Sequence, residues 1–237
     1  MKQGRLRPAL RLSAALGQTL WTVGRLSLTR HPEGLLSPWC RRLLNHLRVE
    51  VRVEGEIPSG GQLWVANHLS WLDPIVLISL RASGILAKRE VANYPVIGRG
   101  ALKAGVRFVQ REDPASRATA LMGLREELAA GRKFLLFPEG TTTRGESLAR
   151  LHEGGLRLAY RMNIPLLPLR LASDHSNYPW VGDDELLAHL GGLCRVPSTV
   201  VRVRPGTVLQ PADFTSESAW VDQIRTDLHP LPLKECA

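Results

Sequence analysis

The sequence predicts an α/β fold, a mostly parallel central sheet flanked by helices. Two observations carry this prediction. Short apolar runs alternate with helix-length stretches from about residue 49 onward, and turn residues separate the two kinds of segment. The chain has 237 residues, 44% hydrophobic and 22% charged, which suits one large globular domain. This composition excludes a disordered chain, a collagen and a polytopic membrane protein.

Seven apolar runs are predicted to be strands: residues 49–53, 62–66, 84–87, 106–110, 133–137, 166–171 and 199–203. The predicted helices cover residues 74–80, 114–130, 151–162 and 183–190, with one more over about 214–228. Asp113 before Pro114 marks a helix start, because an Asp N-cap followed by Pro suits the first turn. Pro165 and Pro168 predict an edge strand or a strand-end bulge, because proline cannot donate to a ladder.

The first 47 residues are predicted to form a basic amphipathic helical segment that associates with a membrane, ahead of an α/β domain over residues 48–237. Residues 1–52 hold ten Lys and Arg against two acidic residues, whereas the rest of the chain is nearly neutral. Apolar residues lie between those arginines at spacings of mostly three or four, which suits one helix face. They are Leu10, Leu12, Leu16, Leu20, Trp21, Val23, Leu26 and Leu28.

An interfacial helix is expected rather than a bilayer span, because the longest uncharged stretch of this segment, residues 12–24, is shorter than the roughly 20 residues that spanning requires. Its arginines would attract an anionic leaflet. Two alternatives stay open: the apolar face packs on the protein's own core, or the first thirty residues are a transit peptide. The three cysteines form no CxxC pair, which indicates neither a disulfide framework nor a thiolate zinc site and fits a reducing compartment.

The run NHLSWLDP, residues 67–74, follows an apolar strand directly. A His five residues before an Asp can place the carboxylate against one imidazole nitrogen and leave the other free. That is the arrangement of an oriented general base, with His68 as the base and Asp73 behind it. The spacing alone leaves an alternative open, in which Asp73 caps a helix and His68 satisfies a backbone group.

A second run, FPEGTTTR, residues 137–144, carries an apolar strand into a polar turn. Backbone N–H groups and threonine hydroxyls suit phosphate oxygens, and the guanidinium of Arg144 can bind phosphate in bidentate fashion. The alternative is a merely polar turn after a strand. A third run, GVRFVQR, ends at Arg111, and a lone basic residue of this kind is usually solvated.

These runs together resemble the lysophosphatidic acid acyltransferase family, the PlsC-like 1-acyl-sn-glycerol-3-phosphate acyltransferases and their glycerolipid relatives. Four blocks stand in the family's order: NHLSWLDP, GVRFVQR, FPEGT and IPLLPL. The stretch AKRE with YPVIG resembles the segment between the first two blocks. The similarity spans about residues 49–171, and it supports the pairing of His68 with Asp73.

The resemblance implies the glycerolipid acyltransferase fold and transfer of a fatty acyl group to a lysolipid hydroxyl from acyl-CoA or acyl-carrier protein, with no cofactor and no metal. His68 would deprotonate the hydroxyl and Asp73 would orient His68; no Gly-x-Ser-x-Gly nucleophile elbow is present. Acceptor binding is implied for the second-block Arg and for the third-block Glu and Gly, with further phosphate-binding candidates near them. These substrate-binding residues are Lys88, Arg111, Glu139, Gly140, Thr141 and Arg144.

One position departs from the family pattern. Many members that acylate glycerol phosphates have Arg after FPEGT, and this chain has Thr142 there, with Arg144 two positions later. Members that acylate lyso-ornithine lipids resemble this chain in carrying hydroxyl residues there, and the stretch WVGDD with His189 resembles that branch as well. Lysophosphatidate is therefore the first expected acceptor, giving phosphatidic acid, and lyso-ornithine lipid is the foremost alternative.

The expected partners are a lysolipid, the acyl donor and an anionic membrane surface, and the expected location is the cytoplasmic face of the inner membrane, as a peripheral, monotopic protein. Nucleic acid is not expected as a partner, because the basic charge lies on a Leu-rich segment with few aromatics suited to base stacking. A metallohydrolase would need ligand spacings that His152, His175 and His189 lack. A catalytically dead lipid-binding relative would not be expected to keep the motif residues together.

Overall fold

The computed structural model describes residues 8–28, 33–80, 84–89, 106–110, 112–182 and 184–230. The strands within these ranges are β1 Val49–Val53, β2 Leu63–Ala66, β3 Gly84–Lys88, β4 Val106–Val109, β5 Phe134–Leu136, β6 Leu166–Ser173 and β7 Thr199–Pro205. The helices are α1 Pro8–Leu28, α2 Glu33–Leu47, α3 Asp73–Ser79, α4 Pro114–Ala129, α5 Gly154–Arg161, α6 Leu186–Arg195 and α7 Glu217–Leu228. All seven predicted strands and the five predicted helices of the α/β domain are confirmed, with ends shifted by a few residues.

The strands form one sheet in the order β1-β7-β6-β2-β5-β3-β4. The pairs from β6 to β4 are all parallel, and β1 pairs parallel with β7. The single change of direction among the described strands is the antiparallel pair of β6 and β7. The mostly parallel sheet predicted from the sequence is therefore confirmed, with β1 and β7 running opposite to the other five strands.

Helices cover both faces of the sheet, and each face has its own apolar core. One core joins α2 and α3 to alternate residues of the central strands, including Trp64 and Leu167. The other core joins α4, α5 and α7 to the intervening residues, including Val65 and Leu166. Strand β2 is buried on both faces, which explains why it is a continuous apolar run rather than an alternating one.

The start of α4 is capped as the sequence predicts. The side chain of Asp113 accepts hydrogen bonds from the backbone N–H groups of Ala115 and Ser116, and Pro114 occupies the first turn. This arrangement satisfies two donors that the helix itself leaves unpaired.

Of the two alternatives predicted for Pro165 and Pro168, the edge strand is wrong, because β6 lies between β2 and β7. The strand-end bulge agrees with a one-residue change of register at the start of β6. Pro168 is tolerated there because the regular pairing of β6 with β7 begins only at Leu169, opposite Pro205. Before that point the pairing is irregular: the N–H of Gly206 donates to the Pro168 carbonyl at 2.9 Å, and Leu166 pairs with Leu209 in an isolated antiparallel bridge that is shifted by one residue from the β6–β7 register. A Cβ at position 206 would lie 2.9 Å from the Pro168 ring, so this close approach requires glycine.

Helix α1 packs on the protein through a partly polar face and presents an apolar face outward. Arg11 is buried and donates to the carbonyl of Cys194, and Thr22 is buried as well. Leu10, Leu16, Leu20 and Trp21 are each more than half exposed. Four of the five exposed large hydrophobic side chains in the described ranges therefore lie on this helix. No helix within those ranges is long and apolar enough to cross a membrane.

Candidate active site

The candidate site lies at the carboxyl ends of the parallel strands, where the loops after β2 and β5 meet. In such sheets, ligand sites form outside the carboxyl ends of the strands. His68 follows β2 by two residues, and Glu139 follows β5 by three. Because β2 and β5 are hydrogen-bonded neighbours, their loops are brought together at one edge of the sheet.

The imidazole of His68 is held by Asp73 in the way the spacing predicts. Nδ1 of His68 lies 2.8 Å from Oδ2 of Asp73. A carboxylate can only accept, so Nδ1 carries the proton and Nε2 carries the lone pair. The ring stacks on Phe137 with centroids 4.1 Å apart and is 14% exposed, and Nε2 makes no hydrogen bond with the described part of the chain. An imidazole fixed in this tautomer can accept a proton from a substrate hydroxyl.

Asp73 is completely buried, and its carboxylate receives donors on both oxygens. Besides the imidazole, Oδ2 accepts from the backbone N–H groups of Leu69 at 2.6 Å and Ser70 at 2.8 Å. The phenol of Tyr178 donates to Oδ1 at 2.6 Å. Asp73 is the first residue of α3 and does not cap it, because its side chain bonds backward to the loop. The alternative interpretation of the motif as a helix cap with an unrelated histidine is therefore wrong.

Glu139 fixes the backbone of the loop that carries His68. Its Oε1 accepts from the backbone N–H of His68 at 2.7 Å, and its Oε2 accepts from the N–H of Ala149 at 2.9 Å. The side chain is 3% exposed, and burial raises the pKa of this carboxyl, opposed by those two hydrogen bonds. The predicted role of Glu139 in acceptor binding stays a prediction, and the geometry adds a role in holding His68.

The loop after β5 contacts the histidine loop a second time. The N–H of Thr143 donates to the His68 carbonyl at 2.8 Å, and its hydroxyl lies 3.3 Å from the same oxygen. Gly140 closes the intervening turn with its N–H on the Phe137 carbonyl at 3.1 Å, and its φ of +66° is a conformation that favours glycine. The loop after β2 and the loop after β5 are therefore held together by hydrogen bonds.

The other predicted substrate-binding residues are exposed or lie outside the described residues, in part or completely. Thr141 and Arg144 lie in the loop after β5 with exposed side chains. Lys88 is the last residue of β3, at the same edge of the sheet, and its side chain lies outside the described residues. Arg111 follows the end of β4 by two residues in sequence and lies outside the described residues.

Sequence reasoning missed the groups that bind the catalytic loop from distant parts of the chain. The side chain of Asn67 bridges β2 to β6, donating to the Leu171 carbonyl at 3.0 Å and accepting from its N–H at 2.7 Å. Trp71 donates through Nε1 to Nδ1 of His189 at 3.0 Å. The N–H of Trp180 donates to the Leu69 carbonyl at 2.9 Å. The stretch around Trp180 and His189 resembles one branch of the family, and this resemblance singled the stretch out. It did not predict that these residues contact the loop between His68 and Asp73.

No grouping of three or more His, Cys, Asp or Glu side chains suited to a metal ion occurs in the part of the chain that the structure describes.

A mostly parallel sheet with a carboxylate-held imidazole at its strand ends is a combination typical of enzymes that use a general base. A family model described as Acyltransferase matches residues 48–172, which is more than half of the chain and contains the whole His68 and Glu139 arrangement. The chain belongs to the PlsC-like acyltransferase family.

Among curated relatives, a lyso-ornithine lipid O-acyltransferase of Pseudomonas aeruginosa is 41% identical over 162 residues, covering 66% of this chain and 62% of that protein. A lyso-ornithine lipid O-acyltransferase of Brucella abortus is 28% identical over 78% of each chain. A 1-acyl-sn-glycerol-3-phosphate acyltransferase of Helicobacter pylori is 31% identical over 49% of this chain and 51% of that protein. The match thus spans less than two thirds of the Pseudomonas protein.

The fold also matches a solved structure. The crystal structure of the 1-acyl-sn-glycerophosphate acyltransferase PlsC of Thermotoga maritima superposes with a TM-score of 0.66, covering 92% of this chain and 94% of that chain. The sequence identity is 21%, so this likeness establishes the fold alone.

The two backbone hydrogen bonds of Glu139 predict a role that differs from acceptor binding. We expect Glu139→Ala to lower the free energy of unfolding by about 2–5 kcal/mol, because two buried N–H groups lose their acceptor. Turnover by the folded fraction should fall, while the KM for the acceptor changes little. Chemical denaturation and steady-state kinetics measure the two effects.

The matched control for this experiment is Glu146→Ala, in the same loop, because the side chain of Glu146 is exposed. An increase in the acceptor KM without loss of stability in Glu139→Ala would contradict the bracing role and favour direct contact with the acceptor.

Proposed function

We propose that this protein is an O-acyltransferase that moves a fatty acyl group from a thioester, acyl-CoA or acyl-carrier protein, to the free hydroxyl of a lysolipid. The observation that carries the proposal is the bond from His68 Nδ1 to the buried Asp73, which leaves Nε2 as the proton acceptor. Family membership supports the reaction class. The proposed donor and acceptor are substrates, and no cofactor is required.

The chemistry proposed for this site is one direct displacement. Nε2 of His68 takes the proton of the lysolipid hydroxyl, and the oxygen attacks the thioester carbonyl. The tetrahedral intermediate collapses as the C–S bond breaks, and the imidazolium returns its proton to the departing thiolate. Asp73 stabilises the imidazolium between these two steps. One C–O bond replaces one C–S bond, and in this proposal the acyl group passes directly to the acceptor without a covalent acyl-enzyme.

The relatives favour lyso-ornithine lipid as the first acceptor, ahead of lysophosphatidate. The 41% identical Pseudomonas protein and the Brucella protein are both named for that acceptor. The sequence adds Thr142 at the position where many glycerol-phosphate members have Arg, which fits an acceptor without a phosphomonoester. Lysophosphatidate remains the second candidate, supported by the Helicobacter relative and by Arg144 two positions further on.

We also propose that the exposed face of α1 lies in a membrane surface, where both lipid substrates are found. Leu10, Leu16, Leu20 and Trp21 project outward, although the interior of the α/β domain takes up its own large apolar side chains almost completely. Burying such a face in the interfacial region stabilises binding, and the many arginines of residues 1–52 favour an anionic leaflet. The proposed location is peripheral, on the cytoplasmic face of the inner membrane.

Replacing the proposed base should abolish turnover without loss of the fold. We expect His68→Ala and the larger His68→Gln to reduce kcat by about 10²- to 10⁴-fold or more, because the hydroxyl loses its proton acceptor. The assay measures acyl transfer by purified protein in mixed micelles, and circular dichroism confirms folding. The control is His152→Ala, whose side chain is exposed and whose backbone bond to Pro138 is retained. Activity above a few per cent in both His68 variants would remove the general-base assignment.

An assay with several lysolipids distinguishes the proposed acceptors. Labelled acyl-CoA and acyl-carrier protein are each supplied with lyso-ornithine lipid, lysophosphatidate or lysophosphatidylcholine. We expect kcat/KM for lyso-ornithine lipid to exceed that for lysophosphatidate by about 10-fold or more, since recognition of a head group by polar contacts discriminates strongly. A preference for lysophosphatidate would instead identify a phosphatidic acid synthase. Failure with every acceptor and both donors would refute the proposed reaction.

The membrane proposal predicts the effect of charging the outward face of α1. We expect the double variant Leu16→Asp with Leu20→Asp to weaken binding to anionic vesicles by about 10-fold or more per leucine, because each side chain loses its apolar burial. Both residues are exposed, so the fold should be kept. The control is Met122→Asp, an equally exposed apolar residue on α4. Vesicle binding of the double variant equal to that of the control would contradict the membrane role of α1.

A further inference from the structure

A segment that follows β6 contacts the loop after β2 through three of its residues. This segment, which we call the cap segment, comprises residues 174–182 and 184–189. It makes three polar contacts with the loop between His68 and Asp73. Trp180 bonds to the Leu69 carbonyl through its N–H, His189 accepts from Trp71, and Tyr178 donates to Asp73. The base of the segment is fixed by Asp174, whose side chain accepts from the N–H of Val200 at 2.9 Å.

Tyr178 is the part of the cap segment that reaches the carboxylate. Its side chain is completely buried, and its hydroxyl lies 2.6 Å from Oδ1 of Asp73. The other three donors to Asp73 all bind Oδ2. Oδ1 is therefore served by the phenol and by no other donor from the described residues. A buried carboxylate oxygen without a donor is costly, so this contact fixes both the charge and the rotation of the carboxylate.

The phenol is a permanent donor. Burial and the neighbouring charge of Asp73 raise the pKa of Tyr178 well above its ordinary value. The hydroxyl therefore keeps its proton over the whole range in which a histidine base operates. The backbone of Tyr178 is itself held, because Nε2 of His189 lies 3.2 Å from the Tyr178 carbonyl while Nδ1 accepts from Trp71.

We propose that Tyr178 is a positioning residue of the acyl-transfer reaction, which fixes the Asp73 carboxylate so that Oδ2 holds Nδ1 of His68 and Nε2 stays free for the acceptor hydroxyl. The inference rests on the proposed function of the site. Tyr178 touches no reacting atom and acts through Asp73 alone. Through this contact, the cap segment helps to hold His68 in the loop after β2.

The hydrogen bond from Tyr178 also changes how strongly the negative charge of Asp73 acts on His68. A hydrogen bond from the phenol takes up part of the negative charge of the carboxylate, so the imidazolium is stabilised less than by a carboxylate without that donor. Among the described residues, the charge of Glu139 acts on both His68 and Asp73, and burial lowers the pKa of His189, which contacts the loop through Trp71. Asp184 acts on His189.

The test compares Tyr178→Phe with Tyr160→Phe in the full chain. Tyr160 is a matched control, because its hydroxyl also donates one hydrogen bond, to the Phe214 carbonyl at 3.1 Å, in the core on the far face of the sheet. Both variants keep the ring and lose one hydroxyl, so a merely structural role predicts similar behaviour for the two. Steady-state kinetics across pH are measured with the best acceptor of the panel, and the histidine resonances are titrated by NMR, with His68 assigned through His68→Gln.

We expect Tyr178→Phe to lower kcat by about 10- to 100-fold, as loss of a group that orients a functional side chain generally does, with both KM values within about twofold. The pH profile of kcat and the His68 resonances should both differ from those of the unchanged protein, because the charge and the orientation of the Asp73 carboxylate change. Tyr160→Phe should match the unchanged protein in all four readouts.

Equal kcat and equal His68 titration in the two variants would overturn the inference, even if the protein is an acyltransferase. An unchanged protein that transfers no acyl group would refute the proposed function, and the NMR titration would still decide whether Tyr178 acts on the His68 and Asp73 pair. A changed KM with unchanged kcat and titration would also overturn the inference, because it would place Tyr178 in substrate binding.

Discussion

The burial of the Asp73 carboxylate is the constraint on which the rest of the site depends. A carboxylate removed from water is strongly destabilising unless donors surround both oxygens. Here two of the donors are successive backbone N–H groups, at Leu69 and Ser70, and they reach one oxygen only because the loop turns tightly into α3. The same turn brings the imidazole of His68 against that oxygen. The hydrogen bonds that make the charge tolerable are therefore the ones that orient the proposed base.

Local features of the site and fold could be predicted from the sequence, and contacts between distant segments could not. Strands and helices follow from apolar runs and caps, and the bond between His68 and Asp73 spans five residues. Tyr178 lies 105 residues from Asp73, and Glu139 lies 71 residues from His68. No pattern in one sequence shows which tyrosine faces a given carboxylate. Pro168 failed as an edge signal for a similar reason, since the irregular pairing with Gly206 and Leu209 that tolerates it is a non-local feature.

Helix α1 shows that amphipathic periodicity does not determine whether the apolar face of a helix points toward the protein or away from it. The sequence places leucines at helical spacings, but they could face the protein core or a lipid surface equally well. In the structure the face of α1 that packs on the protein has polar partners: a carbonyl of α6 accepts from Arg11, and the carbonyl of Trp39 accepts from Gln18. These contacts hold the partly polar face against the protein, and Leu10, Leu16 and Leu20 are left exposed on the other side.

The residues proposed for the chemistry and those proposed for binding the head group differ in how the two loops hold them. His68, Asp73 and Glu139 are tied together by buried hydrogen bonds, so a change in any one disturbs the others. In the loop after β5, Thr143 is fixed to the His68 carbonyl, whereas Thr141 and Arg144 on either side are exposed. Residues at exposed positions beside a fixed point can be exchanged without moving the base. Under the proposed function, these exposed positions are where a change of head group would be accommodated without moving His68, which fits relatives named for lyso-ornithine lipid and for glycerol-phosphate acceptors.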